Sequence, residues 1–366
     1  INYYMKNKGK IALKYLFKIS LSALIVVYLF LAPVLIFPVL KQSQSSINQE
    51  IQVDYMGILE MWNIDTFEGG SKSRTLYLEN RAMEFEKKSI GTFIMCTNMT
   101  VEQAVLNIQS GKLPDLVSFG IGMGEKLINY LMPLSSTYGV RDDLIEGGMC
   151  NKLKYAVPYI LGGYALVSDT DYQLADTKKI NGTLGVGLGD YTNPLLALAV
   201  NDIEINSQFE QNDNIDSFTA YDKFLDKKFD TLLGTQRDLY RVKNRIDKGN
   251  MMPKNYHYFS GFTDLVQYVG ICSKDPVKQE ISKKFIDHLL SNNSQQKISD
   301  MNMFSVKLDN LYLGDEYESY EKALSKPLKT LNVFLSQEKI KEIKSLSKKA
   351  LSGDKTAKKE LEKYLV

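Results

Sequence analysis

Three short apolar runs in the chain have the length and composition of buried strands. They read GILEMW (57–62), TFIMC (92–96) and LVSF (116–119), and the last follows Pro114-Asp115. The segments between them carry a different pattern, with apolar residues spaced three or four apart. The alternation therefore predicts strands at these three places with helices between them.

The two intervening segments show helix signals as well as helix spacing. In the first, Leu78, Ala82 and Phe85 recur at helical intervals after a turn of glycines and serines. In the second, Thr100 and Gln103 match a capping box ahead of an apolar face. Five alternating elements within about 65 residues predict a right-handed parallel α/β unit.

A second α/β region follows a glycine-containing connection. The connection, AVPYILGGYALVSD (156–169), holds a proline, a glycine pair and a clean apolar strand. Beyond it we predict a helix over about 217–227, a strand over 266–273 and a helix opening at Asp275-Pro276. The C-terminal segment is charged and predicted helical, with one apolar stripe: Ile340, Ile343, Leu346 and Ala350.

The N-terminal segment has the pattern of a membrane anchor. No charged residue occurs from Ile19 to Leu40, a run long enough to cross a hydrocarbon core of roughly 30 Å. Five lysines precede the run, and only Lys41 follows it closely. This asymmetry predicts a cytoplasmic tail (1–18), a transmembrane helix (19–40) and a polar linker (41–52), with the remainder outside a cell membrane crossed once. A cleaved signal peptide is the main alternative, although no small-residue cleavage site follows the run.

Composition excludes several classes of function. Apolar residues make up 44% of the chain and charged residues 24%, which are globular values. The net charge of +2 gives no basis for nucleic-acid binding, which needs a concentrated basic face. Three scattered cysteines and two histidines supply neither a disulfide framework nor a metal centre, so we expect no metal and no cofactor, while one cysteine pair remains open.

Four stretches, in this order, resemble the family 1 extracellular solute-binding proteins, the sugar-binding subunits of ABC importers. They are LEMWNIDTFEGGSK…LENRAMEFEKKSIG (59–91), VLNIQSGKLPDLVSFG (105–120), YAVPYILGGYALVSD (155–169) and GICSKDPVKQEISKKFIDHLLS (270–291). Two departures stand out: no cysteine near the anchor could carry a lipid, and the chain has a single tryptophan where the family's clefts are rich in them.

The resemblance implies an α/β, two-lobed, periplasmic-binding-protein-like fold with a hinge and an interlobe cleft, here preceded by the transmembrane helix. Lobe 1 would comprise 53–157 and 264–305, and lobe 2 would comprise 165–260 and 306–366. A small ligand, a carbohydrate for this family, would bind between the lobes without being turned over. The implied partners are the permease subunits of an importer.

Ten residues are candidates for the ligand site, because sugars are held by aromatic faces and by fixed hydrogen-bonding groups. They follow predicted strands or precede the return crossing between lobes: Trp62, Asp65, Glu68, Ser118, Phe119, Gly120, Gln236, Arg237, Tyr256 and Tyr258. Structural alternatives exist for each kind of residue. The tryptophan and tyrosines could pack in a core, the carboxylates could be solvated or cap a helix, the glycine could serve a tight turn, and the arginine could form a surface ion pair.

Two other classes of function remain open at this point. A membrane-bound glycosidase would need two carboxylates that flank one glycosidic bond. Asp65 together with Glu68 or Asp115 could provide such a pair. A tethered sensor or adhesin could use the same fold without an importer.

Overall fold

The computed structural model describes residues 55–68, 71–136, 138–169, 178–180, 182–205, 215–308 and 317–366. The predicted tail, transmembrane helix and linker lie outside these residues. Within the described ranges, no helix combines the length and the apolar character needed to cross a membrane.

The secondary structure is mixed throughout. The strands, in chain order, are β1 Gly57–Ile64, β2 Thr92–Met99, β3 Leu116–Phe119, β4 Met149–Cys150, β5 Leu153–Lys154, β6 Val157–Leu161, β7 Tyr164–Ser168, β8 Lys179–Ile180, β9 Leu184–Val186, β10 Glu204–Ile205, β11 Thr231–Thr235, β12 Asn255–Tyr258 and β13 Val266–Ile271. The α-helices are α1 Arg74–Glu86, α2 Val101–Gln109, α3 Gly124–Leu127, α4 Pro194–Val200, α5 Ser217–Leu225, α6 Gln236–Asp247, α7 Pro276–Leu289, α8 Asn292–Gln296, α9 Glu318–Leu324, α10 Gln337–Leu351 and α11 Lys355–Leu361.

Lobe 1 is built on a five-stranded sheet in the order β2-β1-β3-β13-β6. The first three strands are parallel, and β13 runs antiparallel to both of its neighbours. Helices α1 and α2 connect the parallel strands, so the predicted α/β unit is confirmed. Both helices begin where the sequence indicates: the Ser73 hydroxyl caps α1, and the capping box of Thr100 and Gln103 is present at α2.

Lobe 2 is built on a second sheet in the order β12-β7-β11-β9. Strands β11 and β9 are parallel, whereas β7 runs antiparallel to β11 and β12. Helix α10 packs against α4, and its apolar stripe is buried as predicted at Ile340, Ile343 and Leu346. Helix α10 thus packs on this lobe.

Two crossings join the sheets within the described residues. The first passes through Gly162 and Gly163 between β6 and β7, and the second spans 259–265 between β12 and β13. The Thr263 hydroxyl of the second crossing donates to the Gly162 carbonyl of the first (2.8 Å), and the Gly163 amide donates to Gln236 Oε1 at the start of α6 (2.9 Å). The residue limits given above for the two lobes remain predictions.

Candidate functional site

The carboxyl ends of parallel strands from both sheets meet at one boundary between the lobes. Ligands of open α/β sheets bind just beyond such ends. In lobe 1 the segments that follow β1 and β3 carry Phe67, Glu68 and Gly122, and in lobe 2 the segment after β9 carries Tyr191. The lobes touch here, because a Cβ built on Gly122 would lie 2.3 Å from Cγ of Tyr191. The structure is therefore closed at this boundary.

An ion pair crosses the boundary beside this contact. Both carboxylate oxygens of Glu68 in lobe 1 accept hydrogen bonds from the two terminal guanidinium nitrogens of Arg241 on α6, each at 2.8 Å. The same guanidinium donates to Asp238 Oδ1 (3.0 Å) and lies over the rings of Phe218 (5.0 Å) and Tyr221 (5.3 Å). Such paired, parallel hydrogen bonds are among the stronger side-chain contacts in proteins. Arg241 is thus fixed by lobe 2 and holds lobe 1.

Asp238 is the buried member of this cluster. Burial raises the pKa of its carboxyl to about 6, against the opposing effects of the Thr235 amide, which donates to it at 3.0 Å, and of Arg241. This hydrogen bond from the backbone amide of Thr235 is one half of the capping box at the start of α6. Asp238 therefore links the start of a helix to the cation at the boundary.

The raised pKa predicts a pH-dependent stability. Between about pH 4 and 6 the folded protein retains a proton on Asp238 that the unfolded chain has released, so the free energy of unfolding falls as pH rises through this window. Between pH 4 and pH 7 the free energy of unfolding of wild type should fall by about 3 kcal/mol more than that of Asp238→Asn. This is the free energy that corresponds to a pKa shift of roughly two units. Urea unfolding of both proteins at pH 4, 5, 6 and 7 measures this difference. Parallel pH curves for the two would contradict it.

A cavity of about 760 Å³ opens on the lobe 2 side of the boundary, between the loop after β9 and helix α10. Tyr191 belongs to its wall and to the contact with lobe 1. The ten lining residues are mostly polar: Leu188, Gly189, Asp190, Tyr191, Gln337, Ile340, Lys341, Lys344, Ser345 and Lys348. Its volume lies in the range typical of small-molecule sites.

The loop after β9 is tied down on both sides of this cavity. Lys344 Nζ donates to the carbonyl oxygens of Leu188 (2.7 Å) and Asp190. The Asp190 carboxylate in turn accepts from the hydroxyl and the amide of Ser217, the first residue of α5, which also carries Phe218. The cavity and the Arg241 cluster are therefore joined through neighbouring residues of lobe 2.

A buried polar network lies beneath the lobe 1 side. The Ser118 hydroxyl donates to Asn63 Oδ1 (3.0 Å), lies 2.7 Å from the Tyr159 hydroxyl and accepts from Gln267 Nε2 (2.9 Å). These four residues are fully buried and come from four strands of the sheet. A satisfied buried network of this kind fixes the strand ends relative to one another.

The candidates after the first strand separate into three roles. Strand β1 runs through Ile64, beyond the predicted end, so Trp62 is a buried strand residue with a 5% exposed side chain. Asp65 pairs with Arg74 of α1 at 2.6 Å. Glu68 reaches across to lobe 2 in the ion pair described above.

The candidates after the third strand are buried beside the boundary. Ser118 belongs to the polar network, and Phe119 packs 6.2 Å from Phe334. A Cβ on Gly120 would lie 2.4 Å from Thr66 Oγ1 and 3.2 Å from the Phe67 ring, so a larger residue would displace the loop that carries Glu68.

The lobe 2 candidates lie apart from this group. Gln236 is buried at the crossing, where it holds Gly163, and Arg237 is half-buried one residue further along α6. Tyr256 and Tyr258 stack on each other (6.4 Å), and Tyr258 stacks on Tyr320 (4.6 Å). The role of all ten candidates in ligand binding remains a prediction.

Sequence reasoning did not single out Tyr191, Arg241 or the cavity lysines. One signal was present: Lys344 and Lys348 are four apart on a helix, where like charges repel. Asp238 precedes Arg241 by three residues, a spacing found in ordinary helix ion pairs, and the partner across the boundary, Glu68, is 173 positions away.

Of the carboxylates considered for glycoside hydrolysis, Asp65 and Asp115 lie too far apart to flank one bond. Asp115 accepts from the Glu60 amide and pairs with Lys278 at 2.8 Å, at the amino end of β3. Asp65 lies past the carboxyl end of the parallel strand β1, roughly 16 Å away at the usual rise per residue. Inverting hydrolases hold their carboxyl groups about 6.5–9.5 Å apart and retaining ones about 5 Å apart. Asp65 and Glu68 are each committed to an arginine.

Within the described residues, the cysteine, histidine and acidic side chains form no cluster of three or more that could bind a metal ion. Cys96, Cys150 and Cys272 are free thiols.

Solved structures provide the comparison with known proteins. No protein-family model matches the sequence, and no curated protein matches it. The sugar-binding protein MalE from Xanthomonas citri is similar with a TM-score of 0.56 and 13% identity, over 84% of this chain and 96% of that one. The GacH receptor of Streptomyces glaucescens, solved unliganded and with acarbose, is similar with a TM-score of 0.55 and 14% identity, over 83% of this chain and 95% of that one. The Trichodesmium protein FutA, in complex with iron and citrate, is similar with a TM-score of 0.54 and 14% identity, over 81% of this chain and 98% of that one.

Likeness at these identities establishes the fold. The chain has the two-lobed α/β architecture of substrate-binding proteins, and the resemblance seen in the sequence is confirmed at that level.

Proposed function

We propose that the chain is a solute-binding protein that captures a small carbohydrate between its two lobes. The observation that carries this proposal is the boundary itself, where strand ends of both sheets meet around aromatic rings and fixed charged groups. Tyr191 and Phe218 offer aromatic faces in place of the missing tryptophans, and Glu68 with Arg241 offers hydrogen-bonding groups. Aromatic faces and convergent polar groups are what sugar recognition requires.

Two buried oxygens next to Gly120 add to the case for a polar ligand. Thr66 Oγ1 and Gln267 Oε1 have no hydrogen-bond partner within the described residues. Both lie within 3.4 Å of the position where a Cβ on Gly120 would stand. Buried polar groups are costly to leave unpaired, so a hydroxylated ligand or an ordered water reaching this glycine would stabilise them.

The comparisons favour a sugar without requiring it. MalE is named as a sugar-binding protein and GacH is solved with acarbose, whereas FutA, with the same fold, is solved with iron and citrate. The fold alone therefore leaves the ligand open, and the aromatic residues at the boundary favour carbohydrate.

We also propose that the protein is tethered to the cell membrane by residues 19–40, with its lobes on the extracytoplasmic side, and that it delivers its ligand to the permease of an ABC importer. The support is the charge-free run, the lysine asymmetry and the fold. Loss of ligand uptake on deletion of the gene, restored by the full chain but not by a chain lacking residues 1–40, tests both points. Unchanged uptake would favour a sensor or adhesin.

Direct binding tests the ligand class. The full chain in a mild detergent is titrated calorimetrically with neutral and acidic oligosaccharides, amino acids, polyamines and iron citrate, and the sugar solutions are analysed for products. We expect one saccharide class to bind at one per chain without turnover. At about 100 times its dissociation constant it should add about 2.7 kcal/mol to the unfolding free energy. Hydrolysis products would contradict the binding role. If no saccharide binds, the carbohydrate assignment is contradicted.

A further inference from the structure

The amide of Gln267 is fully buried, and only its nitrogen is hydrogen-bonded. Nε2 donates to the Ile64 carbonyl (3.2 Å) and to the Ser118 hydroxyl (2.9 Å), which commits both of its hydrogens. Oε1 has no hydrogen-bond partner within the described residues. Because the nitrogen fixes the orientation of the amide, the oxygen cannot turn toward another group, and an amide oxygen can only accept. Whatever completes Gln267 must therefore bring a donor.

A second unpaired oxygen lies beside the first. Thr66 is 5% exposed, and its hydroxyl likewise lacks a partner in the part of the chain that the structure describes. Both oxygens lie within 3.4 Å of the position that a Cβ on Gly120 would occupy. The φ of Gly120 lies outside the left-handed region, so the backbone itself does not require a glycine here. The missing side chain instead lets both oxygens lie around the same point, where one group could bond to both.

Strand β13 is irregular at Gln267. Its register against β6 shifts here, because Gln267 stands opposite Ile160 and the next residue stands opposite Pro158. Such bulges re-aim side chains and are common next to active sites. Strand β13 also pairs Tyr268 with Phe119, which places Gln267 at the carboxyl end of β3. The irregularity therefore falls at the residue whose oxygen is unpaired, at the edge of the sheet where ligands of this architecture bind.

We propose that Thr66 and Gln267 form a subsite for one hydroxyl group of the saccharide; this inference rests on the proposed carbohydrate-binding function. The hydroxyl donates to Gln267 Oε1 and accepts from the Thr66 hydroxyl, so that a single ligand atom completes both residues. A carbonyl, ether or carboxylate oxygen at this position could not donate to Gln267 and would leave a buried acceptor unpaired. The subsite therefore selects saccharides with a free hydroxyl here and discriminates against their deoxy forms.

The subsite also adjoins the residues that close the boundary. Thr66 lies two residues before Glu68, whose carboxylate holds Arg241 of lobe 2. Gln267 is joined through Ser118 to the buried network that fixes the strand ends of lobe 1. A buried oxygen costs free energy while it is unpaired, so a hydroxyl bound to both residues would favour the position of the loop that carries Glu68.

Stability without added saccharide tests whether the Thr66 hydroxyl is unpaired. Thr66→Val keeps the shape of the side chain and removes the hydroxyl, and Thr92→Val is the matched control. Thr92 is also buried, at the amino end of β2 and away from the boundary, and its hydroxyl donates to the Tyr55 carbonyl (3.1 Å). The urea midpoint should stay unchanged or rise for Thr66→Val and should fall for Thr92→Val. A fall of equal size in both would show that the Thr66 hydroxyl is already paired, by protein or by water, and would overturn the subsite.

Binding tests whether that hydroxyl contacts the saccharide. The full chain in a mild detergent is titrated with the oligosaccharide panel, including maltotriose, chitotriose and xylotriose, as wild type, Thr66→Val, Thr66→Ser and Thr92→Val. For a saccharide that binds, affinity should fall about tenfold in Thr66→Val and stay within about threefold of wild type in the other two variants. One monodeoxy form of that saccharide should bind wild type about tenfold or more weakly than its parent. This ratio should shrink in Thr66→Val, because the same hydrogen bond is already gone.

The outcomes separate the subsite from the proposed function. Equal affinity of wild type and Thr66→Val for a saccharide that binds would overturn the subsite and leave carbohydrate binding intact. A deoxy ratio that is the same in both proteins would also overturn it, because the lost hydroxyl would then bind elsewhere. If no saccharide of the panel binds, both proposals fail.

Discussion

Replacing Glu68 by glutamine should open the ligand-free protein and weaken ligand binding. The substitution keeps the size of the side chain and removes the charge that Arg241 holds with two 2.8 Å hydrogen bonds. Hydrogen bonds to charged groups contribute about 1.5–3 kcal/mol, and partial exposure of Glu68 (35%) lowers this to about 1–2 kcal/mol. The closed population should then fall roughly 5- to 30-fold relative to the open one.

Two measurements separate closure from other effects. Small-angle X-ray scattering should give a larger radius of gyration for Glu68→Gln than for wild type without ligand. Calorimetry should show that the dissociation constant rises by about the factor by which the closed fraction of the ligand-free protein falls, because closing is part of binding. Glu79→Gln is the matched control, since Glu79 is an exposed acid on α1. If Glu68→Gln matches wild type in both measurements, the ion pair does not stabilise the closed state.

Arg241 cannot be tested by itself in the same way. Its removal leaves the buried Asp238 without its cation, which costs stability in lobe 2 as well as closure. A double-mutant cycle of Glu68→Gln and Arg241→Gln isolates the contact between the lobes. We expect a coupling energy of about 1–2 kcal/mol, within the range found for residues in contact.

Much of the fold could be predicted because its determinants are local. The strand runs, the capping box at Thr100 and the Asp275-Pro276 helix start depend on residues within a few positions of each other. The order of these elements indicated two α/β regions, and the family resemblance implied that they form two lobes.

The site was less predictable because its contacts are long-range. The strand predicted to end at Trp62 continues through Asn63 and Ile64, both fully buried, so the boundary begins two residues later than expected. Trp62 is therefore a buried residue within the strand, two positions before its end. The approach of Tyr191 to Gly122 depends on how two whole sheets pack, which no local pattern encodes.

Gly122→Ala is expected to impair ligand binding more than stability. Gly122 has φ of +97°, and its new Cβ would lie 2.3 Å from Cγ and 2.4 Å from Cδ1 of Tyr191. The backbone strain, about 1–2 kcal/mol, is present whether the lobes are open or closed and therefore affects only the free energy of unfolding. The overlap with Tyr191 exists only when the lobes are closed. Overpacking of this kind costs about 1–3 kcal/mol, which corresponds to roughly a 5- to 150-fold loss of affinity.

Gly111→Ala is the control that separates these two terms. Gly111 also has positive φ (+77°), but a Cβ there meets nothing within 4 Å. Both variants should lose about 1–2 kcal/mol in urea unfolding without ligand, and only Gly122→Ala should lose affinity and show a larger radius of gyration. Equal affinities for the two would mean that the ligand binds without bringing Gly122 to Tyr191. The contact between them would then be a feature of the ligand-free protein, and the closing that grips the ligand would have to occur at the Glu68–Arg241 pair instead.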